Sequence, residues 1–335
     1  MRIDASLPPV SLRQIPEIAR GAERLGFDGL WTSETQHDPF LPLALTASVT
    51  ERLQFGTAVA IGFARSPATL AYTGWDLAEA SGGRFMLGLG TQVRAHIERR
   101  YGMAWPESPV GKLRELLAAV RAFWRAWQSG ERLNFRGEHY RLTLMSPFFN
   151  PGPISHPDIP IYIAGVNLGL CRLAGEAADG FHVHPYHSVR YLKEVVRPAI
   201  AEGVARSGRA AQSVRLSVPA FVATDPGQTD WVRSQVAFYA STPSYRPVMA
   251  LHGWGEVADE LQGLARRGDW GAMGRRISPE MLEAFAVVCS PDELGAALAE
   301  RYHGLADRLS LYLPFFPGAQ DAFWRRFLTD VRDAA

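Results

Sequence analysis

Residues 161–184 read Ile-Tyr-Ile-Ala-Gly-Val-Asn-Leu-Gly-Leu-Cys-Arg-Leu-Ala-Gly-Glu-Ala-Ala-Asp-Gly-Phe-His-Val-His. A short apolar run over 161–164 meets a glycine turn, a helical stretch over 168–178 follows, and a second apolar run occupies 180–184. Strand, helix, strand in this order is the unit of a parallel sheet, because parallel neighbours need a crossover. The same alternation runs outward in both directions. Upstream, strands are expected at 3–6, 29–33, 53–60 and 85–90, with helices at 11–25, 41–50, 68–80 and 110–127. Downstream come a helix at 189–207, a strand at 214–223, a helix near 230–239, a strand at 309–313 and a closing helix at 321–331. Ser290-Pro291-Asp292-Glu293 has the form of a capped helix start, with the helix running to about Tyr302.

Eight strands, each followed by a helix, is the arithmetic of a (β/α)8 TIM barrel, and one such domain over 1–335 accounts for the length. A doubly wound open sheet is the alternative. Two stretches interrupt the rhythm. Residues 130–160 hold a hairpin around Arg136-Gly137-Glu138 and then a proline-rich run. Residues 241–288, with Trp254 and Trp270, read as a helical insertion placed as a lid.

Composition removes several function classes. With 47% hydrophobic and 21% charged residues the chain is globular, and a formal charge of +1 gives no footprint for nucleic acid. Two cysteines, Cys171 and Cys289, make no disulfide framework or thiolate zinc site. No membrane-spanning run and no secretory leader is visible, so a cytoplasmic enzyme or ligand-binding protein is expected.

An α/β barrel works at the C-terminal ends of its strands. Here those ends collect Glu34 and His37, then Ala58-Val59, then Gly88, Gly90, Thr91 and Gln92 with Arg94 and His96 behind. Further on come Gly165-Val166-Asn167 and His182-Val183-His184-Pro185-Tyr186-His187. Gly165-Val166-Asn167 opens a helix, where free N–H groups and the helix dipole favour a phosphate. Glycines 88 and 90 allow a flat ring to approach a strand. No G-x-G-x-x-G opens the first helix, so a dinucleotide fold is not indicated. His182 and His184, alternate residues of one strand, permit a metal-dependent hydrolase as a separate alternative.

Five segments stand in order along the chain: Gly26-Phe27-Asp28-Gly29-Leu30-Trp31 leading to Glu34, Phe55-Gly56-Thr57-Ala58-Val59 with Arg65-Ser66-Pro67-Ala68, 83–91, Ile161-Tyr162-Ile163-Ala164-Gly165 and 174–180. Together they resemble the luciferase-like monooxygenase superfamily, in its coenzyme F420-dependent branch. The resemblance implies a deazaflavin or flavin across the strand ends and a small organic substrate. It implies a homodimer, and a non-proline cis peptide at Ala58-Val59 backing the ring. It places Glu34 near the reactive edge; Thr35 stands where relatives often carry histidine, and His37 and His96 are the further proton-transfer candidates. Cofactor contacts are implied for Glu34, Ala58, Val59, Gly90, Thr91, Gln92, Gly165, Val166, Asn167, His184 and Tyr186, and no metal. The expected activity is F420-dependent hydride transfer. An FMN-dependent monooxygenase is the near alternative, and a non-catalytic flavin- or deazaflavin-binding protein a further one.

Overall fold

The structure is a computed structural model and describes residues 1–334. Eight parallel strands close into a barrel: β1 Arg2–Ser6, β2 Gly29–Thr32, β3 Gln54–Thr57, β4 Phe85–Gly90, β5 Ile161–Gly165, β6 Gly180–Val183, β7 Arg215–Ala223 and β8 Arg308–Pro314. Each pairs with its sequence neighbours, β8 pairs with β1, and no open edge remains in the ring. The barrel expected from the strand count is therefore the fold, and the open-sheet alternative is not.

Local chemistry explains the helix boundaries. Four helices begin at a Ser-Pro or Asp-Pro step: Pro67–Ser81, Pro109–Ser129, Pro226–Ala240 and Pro279–Phe285. In each the cap oxygen accepts a backbone N–H from the first turn, and proline occupies a position that has no N–H to satisfy. Helix Ile15–Leu25 stops at Gly26, whose φ of 95° lies in the left-handed region that glycine enters freely. The Ser290 start differs from its expected form. The Glu293 carboxylate accepts both the N–H and the hydroxyl of Ser290, the serine oxygen accepts no N–H of the next turn, and the helix begins at Leu294. The helix over 189–207 is interrupted by a π-helical turn, Leu192–Val196, just ahead of Pro198.

The third strand is shorter than the 53–60 run. It ends at Thr57, the Ala58-Val59 peptide is cis, and pairing with β4 resumes at Ala60–Ile61. Within 241–288, helices Arg246–Leu251, Gly255–Arg267 and Pro279–Phe285 precede a strand, Ala286–Val288, that extends the sheet beside β7. Among the described residues, no helix is long and apolar enough to cross a membrane.

The lumen is filled in layers by alternate residues of each strand. At the N-terminal end, Asp4 and Arg308 form a buried bidentate ion pair, both contacts 2.7 Å, and Asp4 also accepts the Trp31 indole N–H at 2.8 Å. Above it Trp31, Met86 and Tyr162 pack together, with His182 edge-on to Trp31 at 4.7 Å and beside Tyr162 at 4.9 Å. β2 borders neither β5 nor β6, so these contacts cross the barrel and fix which residues point inward.

Candidate active site at the C-terminal mouth

Continuing the inward register to the strand ends divides the mouth into two unlike halves. On β3, β4 and β5 the inward positions are Ala58, Gly88, Gly90 and Ala164, all small. Gly88 is obligatory, since a Cβ there would lie 1.7 Å from the Thr57 carbonyl oxygen, and one on Gly90 would lie 2.7 Å from Val59 Cγ2. The Val59 side chain thus packs over Gly90. On β6, β7 and β8 the inward positions are His184, Phe221 and Tyr312, and the segment after β7 adds Tyr239 and Tyr245.

Glu34 stands just beyond β2 with both carboxylate oxygens engaged. Oε2 accepts the Ile61 N–H at 2.7 Å and Arg65 Nη1 at 2.6 Å, and Oε1 accepts the Tyr101 hydroxyl at 2.9 Å. Its own N–H donates to the Val59 carbonyl at 3.3 Å. Glu34 therefore ties both sides of the cis bulge to β2. Arg65 also reaches Asp38 at 3.2 Å, and Arg100 donates to the Tyr101 oxygen at 2.9 Å. Burial, then the Glu34 hydrogen bond and charge, push the Tyr101 phenol up, so it remains a donor to Glu34. Sequence reading reached Glu34 and missed Tyr101, which follows β4 by eleven residues and meets Glu34 only through the closed ring. Arg65 is held between two carboxylates with its side chain 16% exposed.

Other expected residues fall in different places. His37 and His96 are exposed, and among the described residues neither ring has a hydrogen-bond partner. Arg94 forms an exposed ion pair with Glu98 four residues on. Gln92 is half-buried at φ 60°, the sparsely populated left-handed region, and its side chain accepts the Val93 N–H at 2.9 Å. Val166 is buried, and its carbonyl accepts the Tyr191 hydroxyl at 3.1 Å. Asn167 precedes helix Leu168–Ala177 and makes no side-chain cap, so the first N–H groups of that helix remain open.

Tyr186 is fully buried: its ring stacks on Phe285 at 4.8 Å and lies behind Tyr239 and Tyr245, 6.3 Å from each, so none of its surface is open at the mouth. Phe315, just beyond β8, is likewise buried, between Phe27 and Trp324.

The three histidines of 182–187 do not converge on a metal position. His182 Nε2 is buried without a partner between aromatic rings. His187 uses Nδ1 on the His184 carbonyl at 2.9 Å and Nε2 on the Tyr302 hydroxyl at 3.0 Å. Among the described residues, the metal-ligand types that do converge are Glu115, Glu138 and His139 on the outer hairpin, where Glu115 already accepts three backbone N–H groups. The arrangement gives no support to the metal-hydrolase alternative.

Burial pushes His182 down to about 3 and His187 down to about 4, so both are neutral in the fold. An unfolded chain takes up protons on both near its ordinary value of 6.5, which the folded chain refuses. Their contribution to stability is complete above that value and is lost as pH falls toward 4 and 3. Each group changes stability by about 1.4 kcal/mol per pH unit within the window. Urea midpoints measured at pH 7.5 and 5.0 are expected to fall markedly at the lower pH. His187→Gln should reduce the dependence by roughly one proton; an unchanged slope would remove His187 from the explanation.

A family model described as luciferase-like monooxygenase matches residues 2–308. The chain belongs to the luciferase-like monooxygenase family. It is 45% identical over 338 residues to an uncharacterized protein of Mycobacterium tuberculosis, a match covering 99% of this chain and 98% of that one. It is 33% identical over 225 residues to an F420-dependent glucose-6-phosphate dehydrogenase of Nocardia farcinica, covering 63% of this chain and 64% of the relative. Among solved structures, the coenzyme F420-dependent tetrahydromethanopterin reductase of Methanopyrus kandleri superposes with a TM-score of 0.78 at 20% identity, over 99% of this chain and 98% of that one. That likeness establishes the shared barrel. The cis peptide at Ala58-Val59 stands where the luciferase-like resemblance placed it.

Proposed function

We propose that this chain is a coenzyme F420-dependent oxidoreductase, acting on a small organic substrate at the barrel mouth. One observation carries the reading: the mouth is small and glycine-lined along β3–β5 and aromatic along β6–β8. A flat tricyclic ring needs a surface without side chains on one face and room for a substrate on the other. The Ala58-Val59 bulge and Gly90 supply the first, and the opposite wall bounds the second. Gly165, Val166 and the open amides beyond Asn167 suit the anionic tail, since a helix start offers N–H donors and a favourable dipole. In this reading Thr91 and Gln92, which follow β4, and His184, which follows β6, would contact the ring from either side.

When bound, a deazaflavin supplies hydride chemistry. The chain's own part is binding, orientation and control of protons. Glu34, with both oxygens engaged by Ile61, Arg65 and Tyr101, acts by holding the bulge in shape rather than by giving up a proton. His37 and His96 have no part in this arrangement. Named F420-dependent relatives support the choice of cofactor over FMN.

Parallel titration of the cofactor-free protein with F420 and FMN tests the reading. F420 is expected to bind clearly more tightly; tight FMN binding without F420 binding would overturn it. The tail site has its own check. A Cβ on Gly165 would lie 2.6 Å from Leu170 Cβ, so Gly165→Ala must displace the turn. A loss of about tenfold in F420 affinity is expected, equivalent to roughly 1.4 kcal/mol, and unchanged affinity would move the tail elsewhere.

A further inference from the structure

The aromatic half of the mouth is more specific than a hydrophobic wall. Tyr312 is the uppermost inward residue of β8, two beyond Ser310 and four beyond Arg308. Tyr239 ends helix Pro226–Ala240, and Tyr245 closes the 3-10 turn Pro243–Tyr245. His184 lies between the last two, 4.7 Å from each ring, and Tyr312 packs on Phe221 at 4.9 Å. All four polar residues are half-buried, so each keeps part of its surface open to the mouth. Exposed Trp231 stacks over Tyr312 at 6.1 Å and forms a lip.

Their hydrogen-bonding capacity is lopsided. The Tyr239 and Tyr312 hydroxyls meet at 2.8 Å, which uses one of their two protons and leaves the other free to donate. His184 Nδ1 accepts the Tyr186 N–H at 3.1 Å, which places the ring proton on Nε2, and among the described residues Nε2 has no partner. The Tyr245 hydroxyl likewise has no protein partner among the described residues. Among the described residues no carboxylate, ammonium or guanidinium hydrogen-bonds to any of these four side chains, whose side-chain bonds are those to the Tyr186 N–H and between Tyr239 and Tyr312. The wall therefore presents donors, flat ring faces and no charge. A phosphate or carboxylate placed here would be desolvated without a counter-charge.

We propose that His184, Tyr239, Tyr245 and Tyr312 form the substrate subsite, and that it takes an uncharged, planar, unsaturated molecule carrying a hydrogen-bond-accepting oxygen, such as an aromatic or conjugated carbonyl compound. The substrate role rests on the oxidoreductase reading above; the binding preference rests on these side chains alone.

Calorimetric titration of the cofactor-free protein with coumarin, acetophenone and glucose 6-phosphate tests it, with F420 titrated separately. Coumarin and acetophenone are expected to bind and glucose 6-phosphate not. Tyr312→Phe and Tyr245→Phe keep the rings and the fold. Tyr245→Phe, which removes an unshared hydroxyl, should weaken coumarin about tenfold while leaving the F420 dissociation constant within about twofold. Coumarin binding without F420 binding would support the subsite while removing the F420 reading. F420 binding with no coumarin or acetophenone binding would overturn the subsite and leave the cofactor reading standing. Glucose 6-phosphate binding as tightly as coumarin, or coumarin affinity unchanged in both Phe variants, would also overturn it.

Discussion

Asp4→Leu is expected to destabilise the folded chain by about 3–5 kcal/mol, the range for breaking a buried ion pair from one side. The Asp4 side chain is 0% exposed and that of Arg308 4%, and the two share a bidentate contact at 2.7 Å. Burial works against the Arg308 charge, but the Asp4 carboxylate outweighs it and holds the guanidinium above its ordinary range. Removing Asp4 strands that charge and also frees the Trp31 indole N–H, which donates to Asp4 at 2.8 Å. Arg308 keeps only Gln54 Oε1, at 2.7 Å, as a neutral acceptor. The double variant Asp4→Leu/Arg308→Met removes both charges and is expected to cost less than the two single changes summed. Urea unfolding of the four proteins gives the coupling directly. A single-variant cost below about 1 kcal/mol, the range of exposed pairs, would show that the pair is solvated.

The second large effect is expected at Glu34, where Glu34→Gln should weaken F420 binding at least tenfold and cost about 2–3 kcal/mol of stability, as for a hydrogen bond to a charged group. The carboxylate accepts from Ile61 N–H, Arg65 and Tyr101 together. An amide offers one accepting oxygen, and its NH2 must face a donor. If it faces Tyr101, the phenol can reverse and accept; if it faces Ile61 and Arg65, neither can. Arg65 would then retain Asp38 and the Ile61 carbonyl, both at 3.2 Å. In that second orientation the bulge keeps only its backbone ties to β2, Ala58 N–H to the Thr32 carbonyl and Glu34 N–H to the Val59 carbonyl, and in either orientation the charge that holds Ile61 N–H and Arg65 is gone, so the backing of the ring loosens. Wild-type F420 affinity in Glu34→Gln, in a protein of unchanged stability, would contradict this role.

The fold was legible because its signals are local. Each strand is a short apolar run, and the Ser-Pro and Asp-Pro steps mark helix starts by chemistry confined to four residues. The strand Ala286–Val288 escaped notice because three apolar residues show no period and follow directly on a helix. Glu34 and the Gly165 turn were legible because strand ends are where a barrel works. The partners of Glu34 were not, because Ile61, Arg65 and Tyr101 come to it from two other βα connections. The burial of Tyr186 was not legible either, because its neighbour Phe285 lies about a hundred residues on, in the helix before Ala286–Val288. The tyrosine wall lay hidden for a related reason: Tyr239 and Tyr245 gain meaning only when Tyr312, more than sixty residues later, closes the ring beside them.

The division of the mouth into a small half and an aromatic half is tested most directly by a crystal structure of the complex with F420. The deazaflavin ring is expected in van der Waals contact, about 3.5–4 Å, with the Ala58-Val59 backbone and Gly90, and its tail at the amides of Gly165–Asn167. The face of the ring turned away from the bulge should look toward Tyr239, Tyr245 and Tyr312. A ring stacked on those tyrosines, or bound away from the cis peptide, would contradict the account.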